Sequence, residues 1–210
     1  MRVALHTCCG PCLIEPLDDL AADYEVVVVY ANPNIAPAEE YARRRDTLFE
    51  YAQRVGAAAV EVPYEPAVWQ SAIAGTEDDR RARCEACYRV RLRLVAEYAA
   101  AHGFDAIATT LTVSPYQDPE AIRVAGESAA ADAGLAYVHR DFRERYPEAT
   151  RRSRALEMYR QNYCGCLLSK AEAEAERAER KARRAEERRA AHDSRAVEQR
   201  VVRQNTGGEL

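Results

Sequence analysis

Short runs of β-branched residues alternate with longer helical segments over residues 1–169, and this alternation constrains the fold more than any other feature of the chain. Strands that are separated by helices pair in parallel, with helices on both faces of the sheet. The predicted strands are Val3–His6, Glu25–Tyr30, Ala59–Val62, Ala106–Thr109 and Ala136–His139. The predicted helices are Leu13–Ala22, Ala38–Val55, Glu85–Ala101, Glu120–Ala133 and Arg151–Arg160. The sequence therefore predicts an α/β fold with a doubly wound, mostly parallel sheet of about five strands.

Sheets of this kind bind ligands beyond the carboxyl ends of their strands. The segment HTCCGPC follows the first predicted strand directly, and polar loops follow the second strand, over 30–37, and the fourth, over 109–117. Gly56, Gly103 and Gly134 follow predicted helices, where a left-handed C-cap favours glycine. We therefore expect a binding site at the carboxyl edge of the sheet, beside the first cysteines.

The chain changes character after residue 169, which divides it into a predicted α/β domain, residues 1–169, and a C-terminal extension, residues 170–210. The extension contains 11 Lys+Arg and 9 Asp+Glu residues, whereas the whole chain has a net charge of −4. Its lack of an apolar stripe predicts a charged, solvated helix. The i,i+4 pairs Glu176/Arg180 and Glu179/Arg183 favour that helix slightly, and residues 203–210 are predicted to fray.

Seven cysteines occur in three groups, and the odd number argues against a framework of structural disulfides. The groups are CCGPC at 8–12, CEAC at 84–87 and CGC at 164–166. In a reducing compartment, clustered cysteines more often bind metal or carry redox chemistry. No apolar run approaches the roughly 20 residues of a membrane span, and residues 1–6 lack the apolar core of a secretory signal. We expect a cytoplasmic protein with no membrane partner.

The first two cysteine groups have the spacing of metal ligands. Cys84 and Cys87 form a C-x-x-C pair, which suits either an iron–sulfur cluster or a structural zinc. Cys8 and Cys9 are adjacent, and neighbouring side chains converge on one small ion only in a tight turn, which Gly10 can supply. A cluster has several metal corners and accommodates adjacent ligands more easily. Spacing alone favours an iron–sulfur cluster and leaves zinc open.

Cys164 and Cys166 form a different kind of group because one residue separates them. A disulfide between them would close a small, strained ring, and strain makes a disulfide easier to reduce. Gly165 would give the backbone the freedom that such a ring needs. The segment is therefore predicted to be redox-active, and the alternative interpretation is two further metal ligands or two thiols.

Arginines are concentrated around the second and third cysteine groups. Those beside the second group are Arg80, Arg81, Arg83, Arg89, Arg91 and Arg93. Those before the third group are Arg140, Arg143, Arg145, Arg151, Arg152 and Arg154. Basic residues beside redox groups in an acidic chain indicate an anionic substrate, although a solvated helix face would have the same composition.

Several segments together resemble the QueH family of epoxyqueuosine reductases. The residues that carry the resemblance are LHTCCGPCLIEPL (5–17), YANPNIAPAEEYARR (30–44), CEACYRVRL (84–92), TTLTVSPYQD (109–118), DFRERY (141–146) and MYRQNYCGCLLS (158–169). They occur in the family's order and cover nearly all of residues 1–169. The charged extension lies outside the resemblance.

The resemblance implies a Rossmann-like fold related to the nucleotide-binding domains of tRNA-modifying enzymes. It also implies a 4Fe-4S cluster, whose ligands would be Cys8, Cys9, Cys84 and Cys87. A redox-active disulfide is implied between Cys164 and Cys166. Some members carry a further iron beside the cluster, and Cys12 lies where an extra ligand for that iron is expected. No cobalamin is implied.

The implied reaction reduces the epoxide of epoxyqueuosine at the tRNA wobble position to queuosine, the last step of queuosine biosynthesis. The implied partners are a tRNA anticodon loop carrying epoxyqueuosine and an unidentified electron donor. In our hypothesis the cluster delivers single electrons, the Cys164/Cys166 pair stores or supplies two, and a second metal acts as a Lewis acid. Candidates for the general acid are Tyr116, Asp141 and Tyr159.

Two other functions are compatible with the cysteines alone. The first is a zinc-stabilised, non-catalytic RNA-binding module, which would be colourless. The second is an ATP-dependent enzyme that inserts sulfur into tRNA, and the loop HTCCGPC argues against it because it is not a glycine–serine phosphate loop. Metal analysis of anaerobically purified protein discriminates best among these functions.

Overall fold

The sheet contains five parallel strands in the computed structural model, which describes the backbone of residues 1–206 and the side chains of residues 1–189. The strands are β1 (Arg2–His6), β2 (Glu25–Tyr30), β3 (Ala58–Glu61), β4 (Ala106–Thr109) and β5 (Ala136–Tyr137). Their order is β3-β2-β1-β4-β5, and every neighbouring pair is parallel. The predicted α/β, doubly wound fold is confirmed, and the predicted strand bounds differ from these by two residues at most.

Helices flank the sheet throughout the described residues. They are α1 (Gly10–Leu20), α2 (Ala38–Arg54), α3 (Pro66–Ile73), α4 (Arg80–Ala101), α5 (Pro119–Asp132) and α6 (Tyr146–Ala155). A further helix, α7 (Leu167–Thr206), follows them in the chain. The predicted set omits α3, whose two turns are too short to show a helical period. α4 begins before the predicted Glu85 because the Asp79 carboxylate accepts hydrogen bonds from the N–H groups of Arg81 and Ala82. As predicted, three glycines that follow helices have a left-handed backbone: Gly56, Gly103 and Gly134.

The predicted helix over 151–160 is wrong at both ends, because α6 runs from Tyr146 to Ala155. Pro147 favours the earlier start, since the first turn of a helix does not need its missing N–H. The helix ends before Glu157, whose φ of 52° lies in the left-handed region. Residues 156–166 therefore form an irregular segment, and this segment carries the third cysteine group.

Alternate residues of β1 enter two hydrophobic cores on opposite faces of the sheet. Val3 and Leu5 pack on the face covered by α1, α2 and α6, whereas Ala4 packs on the face covered by α4 and α5. Leu13 and Leu92 are fully buried, one on each face. Burial of one such leucine stabilises the fold by about 1.5–3 kcal/mol. Both faces of the parallel sheet are thus covered, and its carboxyl edge is left for ligands.

The carboxyl ends of β1, β2 and β4 lie side by side at one edge of the sheet. His6 is paired in register with Val29 on one side and Thr109 on the other, and its Nδ1 lies 2.9 Å from the Thr109 Oγ1. The loop after β2 is fixed to the same edge because the Nδ2 of Asn32 donates to the Thr7 carbonyl at 2.9 Å. The edge predicted to bind a ligand is therefore built from buried, mutually bonded residues.

Residues 1–167 form one compact unit, and a second unit begins at Leu168. The long helix α7 confirms the predicted C-terminal helix, and most of its described side chains are exposed. Arg183 pairs with Glu187 at 3.7 Å rather than with the predicted Glu179. Residues 207–210 of the segment predicted to fray lie outside the described residues, and the functional division at residue 169 stays a prediction. None of the described helices is both long and apolar enough to cross a membrane.

Candidate metal centre

The three cysteines of the first group meet where β1 passes into α1. β1 ends at His6, and α1 begins at Gly10 with Cys9 in the N-cap position. The sulfur atoms of Cys8, Cys9 and Cys12 all lie within 4.8 Å of one another, and those of Cys8 and Cys9 are 3.8 Å apart. Three sulfurs at this spacing beside a helix N-terminus form a compact group of metal ligands.

The thiols of this group differ in their affinity for protons. Hydrogen bonds from Cys12 and then from Cys9 hold the pKa of Cys8 well below its usual range. Burial raises the pKa of Cys9 to about 12, and hydrogen bonds to Cys8 and Cys9 raise the pKa of Cys12. Cys8 is therefore the most acidic thiol of the three, and a thiolate is the form that ligates a metal.

The second group lies in the first turns of α4. Cys84 is half-buried and Cys87 is buried, and burial, followed by the neighbouring Cys87, raises the pKa of Cys84 to about 11. Within the described residues, neither sulfur joins the set that lies within 4.8 Å of one another. The four predicted cluster ligands are therefore not gathered around a single point. A cluster has several metal corners and separates its ligands more widely than one ion does.

The third group contains two thiols, because no disulfide joins any of the seven cysteines, all of which are described. Cys164 is exposed by surface area, although dense protein around its sulfur raises its pKa to about 12. The positive charge of Arg91 lowers the pKa of Cys164. The charges of Cys87, Cys166 and Cys8 add to the rise. The third group thus lies within electrostatic reach of the first two, and the predicted Cys164–Cys166 bond is not observed.

A buried arginine fixes the third group to the loop after β2. Arg44 of α2 is fully buried and donates to the Cys164 carbonyl at 2.7 Å, and the Ala36 N–H donates to the Gly165 carbonyl at 3.0 Å. A Cβ on Gly165 would lie 2.7 Å from the Nδ2 of Asn34. Gly165 is not among the glycines with positive φ. The glycine is therefore needed for close approach and not for the conformational freedom that the sequence suggested.

Arg91 is a buried cation among the cysteines. It lies one turn after Cys87 on α4, so both side chains project from the same face of the helix. Its Nη2 donates to the Oδ1 of Asn32 at 2.7 Å, and Asn32 is held in turn by the Thr7 carbonyl. No carboxylate pairs with Arg91 in the described part of the chain. Its charge therefore faces thiols instead of an acid.

Several buried nitrogen atoms near the cysteines have no hydrogen-bond partner among the described residues. They are Nε and Nη1 of Arg91, Nε1 of Trp69 and Nε2 of His6. Burial raises the pKa of Cys87, whereas Arg91 and Trp69 lower it, so both side chains act on that sulfur. Buried donors need acceptors, and the sulfides and thiolates of a cluster accept hydrogen bonds. The residues present therefore fit an iron–sulfur cluster.

The irregular segment over 156–166 contacts the first cysteine group. The Nε2 of Gln161 donates to the sulfur of Cys9 at 2.9 Å, and its Oε1 is buried with no donor among the described residues. Tyr159 donates its hydroxyl proton to Glu40 at 2.6 Å, and the Arg43 guanidinium lies 3.8 Å over its ring. The segment thus brings an amide onto a cysteine sulfur, with a phenol two residues earlier.

The three candidates for the general acid have different surroundings. Tyr116 is 79% exposed. Asp141 pairs with Arg143, which holds the pKa of Asp141 below its usual range, so Asp141 has no proton to donate at neutral pH. Burial, followed by the bond to Glu40, raises the pKa of Tyr159 to about 12. Of the three, Tyr159 combines a retained proton with a place in the segment that contacts the cysteines.

Most of the arginines near the cysteine groups are neutralised by carboxylates. Before the third group, the pairs are Arg140–Asp19, Arg143–Asp141, Arg145–Asp19, Arg151–Glu148, Arg152–Glu15 and Arg152–Asp18. Along α4, the pairs are Arg81–Glu85, Arg89–Glu85 and Arg93–Glu97. The density of arginines in the sequence therefore overstates the positive charge that these surfaces present.

Sequence patterns do not single out the polar residues that surround the cysteines. Arg91 is one of the six arginines that lie beside the second cysteine group in the sequence. Its i,i+4 spacing from Cys87 is the signal that would have distinguished it from the other five. Trp69 lowers the pKa of the Cys87 thiol. Gln161 reaches Cys9 across 152 residues, and no local pattern marks it. These contacts depend on the tertiary path of the chain.

The fold and the site define a class of protein: a five-stranded, parallel α/β protein with a thiol-rich centre at the carboxyl edge of its sheet. The family described as "Epoxyqueuosine reductase QueH" matches residues 3–172, a range that includes all seven cysteines. The chain therefore belongs to the QueH family of epoxyqueuosine reductases, which are oxidoreductases. The resemblance seen in the sequence is confirmed.

Curated relatives agree with the family match. Epoxyqueuosine reductase QueH of Dehalococcoides mccartyi is 30% identical over 173 residues, which cover 81% of this chain and 93% of the relative. The protein of the same description from Haemophilus influenzae is 32% identical over 177 residues, covering 80% and 71%. That from Thermotoga maritima is 31% identical over 177 residues, covering 80% and 89%. The chain thus matches most of the length of these relatives.

The fold is also similar to a solved structure of the U34-tRNA thiolase NcsA from Methanococcus maripaludis with its [4Fe-4S] cluster. The TM-score is 0.52 at 13% sequence identity, and the match covers 82% of this chain and 64% of the thiolase. At this identity the likeness concerns the fold alone. The two chains therefore share a fold.

Proposed function

We propose that this chain reduces epoxyqueuosine at the wobble position of tRNA to queuosine, the last step of queuosine biosynthesis. The observation that carries the proposal is the family match over residues 3–172. The buried thiols at the carboxyl edge and the donors without acceptors beside them supply a site for redox chemistry. The thiol state of all seven cysteines also suits the reducing cytoplasm, where we place the protein.

The proposed cofactor is a 4Fe-4S cluster, which supplies electrons one at a time. Its proposed ligands are Cys8, Cys9, Cys84 and Cys87. The low pKa of Cys8 and the donors that act on Cys87 support the assignment. Cys12 is proposed as a ligand of a further iron beside the cluster, because its sulfur lies within 4.8 Å of those of Cys8 and Cys9.

Cys164 and Cys166 are the proposed store of two electrons. The reaction breaks both C–O bonds of the epoxide, leaves a C=C bond and releases the oxygen as water, so it consumes two electrons and two protons. Oxidation of two thiols to one disulfide yields the same two electrons and two protons, and the step therefore balances. An external donor must then reduce the disulfide to the two thiols.

Tyr159 is the proposed general acid. Its hydroxyl is held by Glu40, which also accepts a hydrogen bond from the Nε of Arg44 at 2.7 Å. Because Arg44 fixes Glu40, the phenol keeps one orientation, and its raised pKa keeps it protonated at neutral pH. Its single proton lies on the hydrogen bond to Glu40, so the hydroxyl would turn from Glu40 to the substrate to give that proton to the epoxide oxygen as the C–O bond breaks.

The proposed substrate is a tRNA anticodon loop that carries epoxyqueuosine. A base in a single-stranded loop can be unstacked into a pocket at low cost. Arg154 and Arg160 are the proposed phosphate contacts, because neither pairs with a carboxylate among the described residues. Arg154 lies in the last turn of α6, and Arg160 lies in the irregular segment 156–166 that carries the third cysteine group. Neutralised arginines such as Arg152 are less suited to this role.

The proposal is tested by conversion of epoxyqueuosine in vitro. Full-length protein is reconstituted anaerobically with iron and sulfide, and incubated with tRNA that carries epoxyqueuosine and with dithionite as the electron source. We expect brown protein with about four iron atoms, as in four-cysteine cluster sites, and nucleosides that lose one oxygen to give queuosine. Colourless protein with one zinc and unchanged tRNA would contradict the proposal and support the non-catalytic RNA-binding module.

A further inference from the structure

Arg91 differs from the other large buried side chains of this protein in carrying a charge without an opposite charge. It is 1% exposed. The similarly buried Arg44 pairs with Glu40 at 2.7 Å, whereas no carboxylate pairs with Arg91 in the described part of the chain. A buried charge without a partner strongly opposes folding. The fold therefore holds Arg91 in a state that calls for an anion.

The guanidinium is fixed in place, but only part of its hydrogen-bonding capacity is used. Its Nη2 donates to the Oδ1 of Asn32 at 2.7 Å, and the Nδ2 of Asn32 donates to the Thr7 carbonyl at 2.9 Å, next to Cys8. The Nε and Nη1 of Arg91 have no acceptor among the described residues. Arg91 is thus anchored on one side by Asn32, and its remaining donors face the Cys87 sulfur, with no nitrogen or oxygen acceptor among the described residues.

The direction of these donors follows from the surrounding charges. Arg91 lies one helical turn after Cys87, on the same face of α4. Burial lowers the pKa of Arg91, but the nearby cysteines raise it above its ordinary value overall. The cysteines that act on it most strongly are Cys87, Cys8 and Cys164. Arg91 therefore faces sulfurs from all three cysteine groups.

We infer that Arg91 is the fixed counter-charge of the iron–sulfur cluster and raises its reduction potential. This inference rests on the proposed cofactor. A cluster held by four thiolates is anionic, and reduction adds one more negative charge. A cation at a fixed position in a buried site stabilises the more negative state more strongly. Arg91 would therefore make the cluster easier to reduce, and Asn32 would position Arg91. Neither residue transfers electrons or protons.

The test compares variants that separate the charge of Arg91 from its shape. Arg91→Met removes the charge and keeps an unbranched chain, whereas Arg91→Lys keeps the charge. Arg93→Met is the matched control, because Arg93 lies on the same helix, is half-exposed and pairs with Glu97 at 2.6 Å. The measurement is the midpoint potential of the cluster in anaerobically reconstituted, full-length protein, by redox titration with electron paramagnetic resonance, together with iron content.

We expect the potential of Arg91→Met to shift to more negative values, with Arg91→Lys and Arg93→Met near wild type. If Arg91→Met cannot hold the cluster, restoration of iron content by Arg91→Lys supports the counter-charge equally. An unchanged potential in Arg91→Met, or loss of iron in both Arg91 variants, would overturn the inference and leave the cofactor in place. Wild-type protein without iron would instead overturn the proposed cofactor and the inference with it.

Discussion

Two arginines of this protein, Arg91 and Arg152, have opposite surroundings although both lie near cysteines in the sequence. Arg152 bridges α6 to α1 by donating to Glu15 at 2.8 Å and Asp18 at 2.6 Å. Arg91 is more deeply buried and has no carboxylate partner in the described part of the chain. At the α1–α6 surface, the charge of Arg152 is satisfied by carboxylates of the fold itself. The carboxyl edge of the sheet, where the cysteines lie, is called the cysteine-lined edge below. There the buried donors of Arg91 and Trp69 lack acceptors among the described residues.

The difference shows which of the two regions is built for a ligand. A polar group that the fold satisfies contributes to stability and gives nothing to a ligand. A buried group that the fold leaves unsatisfied lowers stability and persists where a ligand supplies the missing partner. The α1–α6 surface is therefore structural, and the cysteine-lined edge is functional. Substitutions in the two regions should change different quantities.

The largest effect is expected from loss of a cluster ligand. Cys87→Ser should abolish turnover and lower iron content, because Cys87 is a proposed ligand. Cys164→Ser should suppress turnover as well but leave iron content near wild type, because Cys164 is proposed to store electrons and not to hold metal. The measurements are iron and sulfide content beside conversion of epoxyqueuosine. Full iron in Cys87→Ser, or lost iron in Cys164→Ser, would make these ligand assignments wrong.

A smaller effect on turnover is expected at the boundary of the cysteine-lined edge. Tyr159→Phe removes the proposed acid and should lower kcat by about 10²–10⁴-fold, the usual contribution of general acid–base catalysis. Iron content should be unchanged, because the ring keeps its shape. Tyr116→Phe is the control, since Tyr116 is 79% exposed, and it should keep full activity. Equal activity of the two variants would remove Tyr159 from the mechanism.

The smallest functional effect is expected at the α1–α6 surface. Arg152→Gln should lower the free energy of unfolding by about 1–3 kcal/mol, because it leaves the buried carboxylate of Glu15 without its cation. Arg151→Gln should cause no measurable change, since Arg151 and Glu148 are both exposed. Chemical denaturation of the two variants measures the difference. A fall in kcat of Arg152→Gln at unchanged stability would place this surface in the functional region after all.

The sequence predicted the sheet, its parallel order and the loop that holds the first cysteines, because strand–helix alternation and helix caps are local signals. It failed at α6, where Pro147 and the left-handed Glu157 set bounds that helical periodicity did not reveal. It also failed for the arginines before the third cysteine group, because their carboxylate partners are up to 137 residues away in the chain. The turn from β1 into α1 brings the sulfur of Cys12 close to those of Cys8 and Cys9.

The polar surroundings of the cysteines could not be predicted for the same physical reason. Asn32, Gln161 and Trp69 reach their partners only after β2, α3 and the segment 156–166 have packed around the carboxyl edge. The family resemblance implied the proposed cluster ligands and the reaction. It did not imply the proposed counter-charge, which rests on the buried donors of Arg91 that lack acceptors among the described residues.

The central claim is that this chain converts epoxyqueuosine to queuosine in tRNA. It is tested most directly by expressing the gene in a bacterial strain whose own epoxyqueuosine reductase has been deleted, followed by mass analysis of the tRNA nucleosides. We predict that the wild-type chain restores queuosine and removes epoxyqueuosine, and that Cys87→Ser restores neither. Persistent epoxyqueuosine in cells that contain soluble, iron-loaded wild-type protein would contradict the claim.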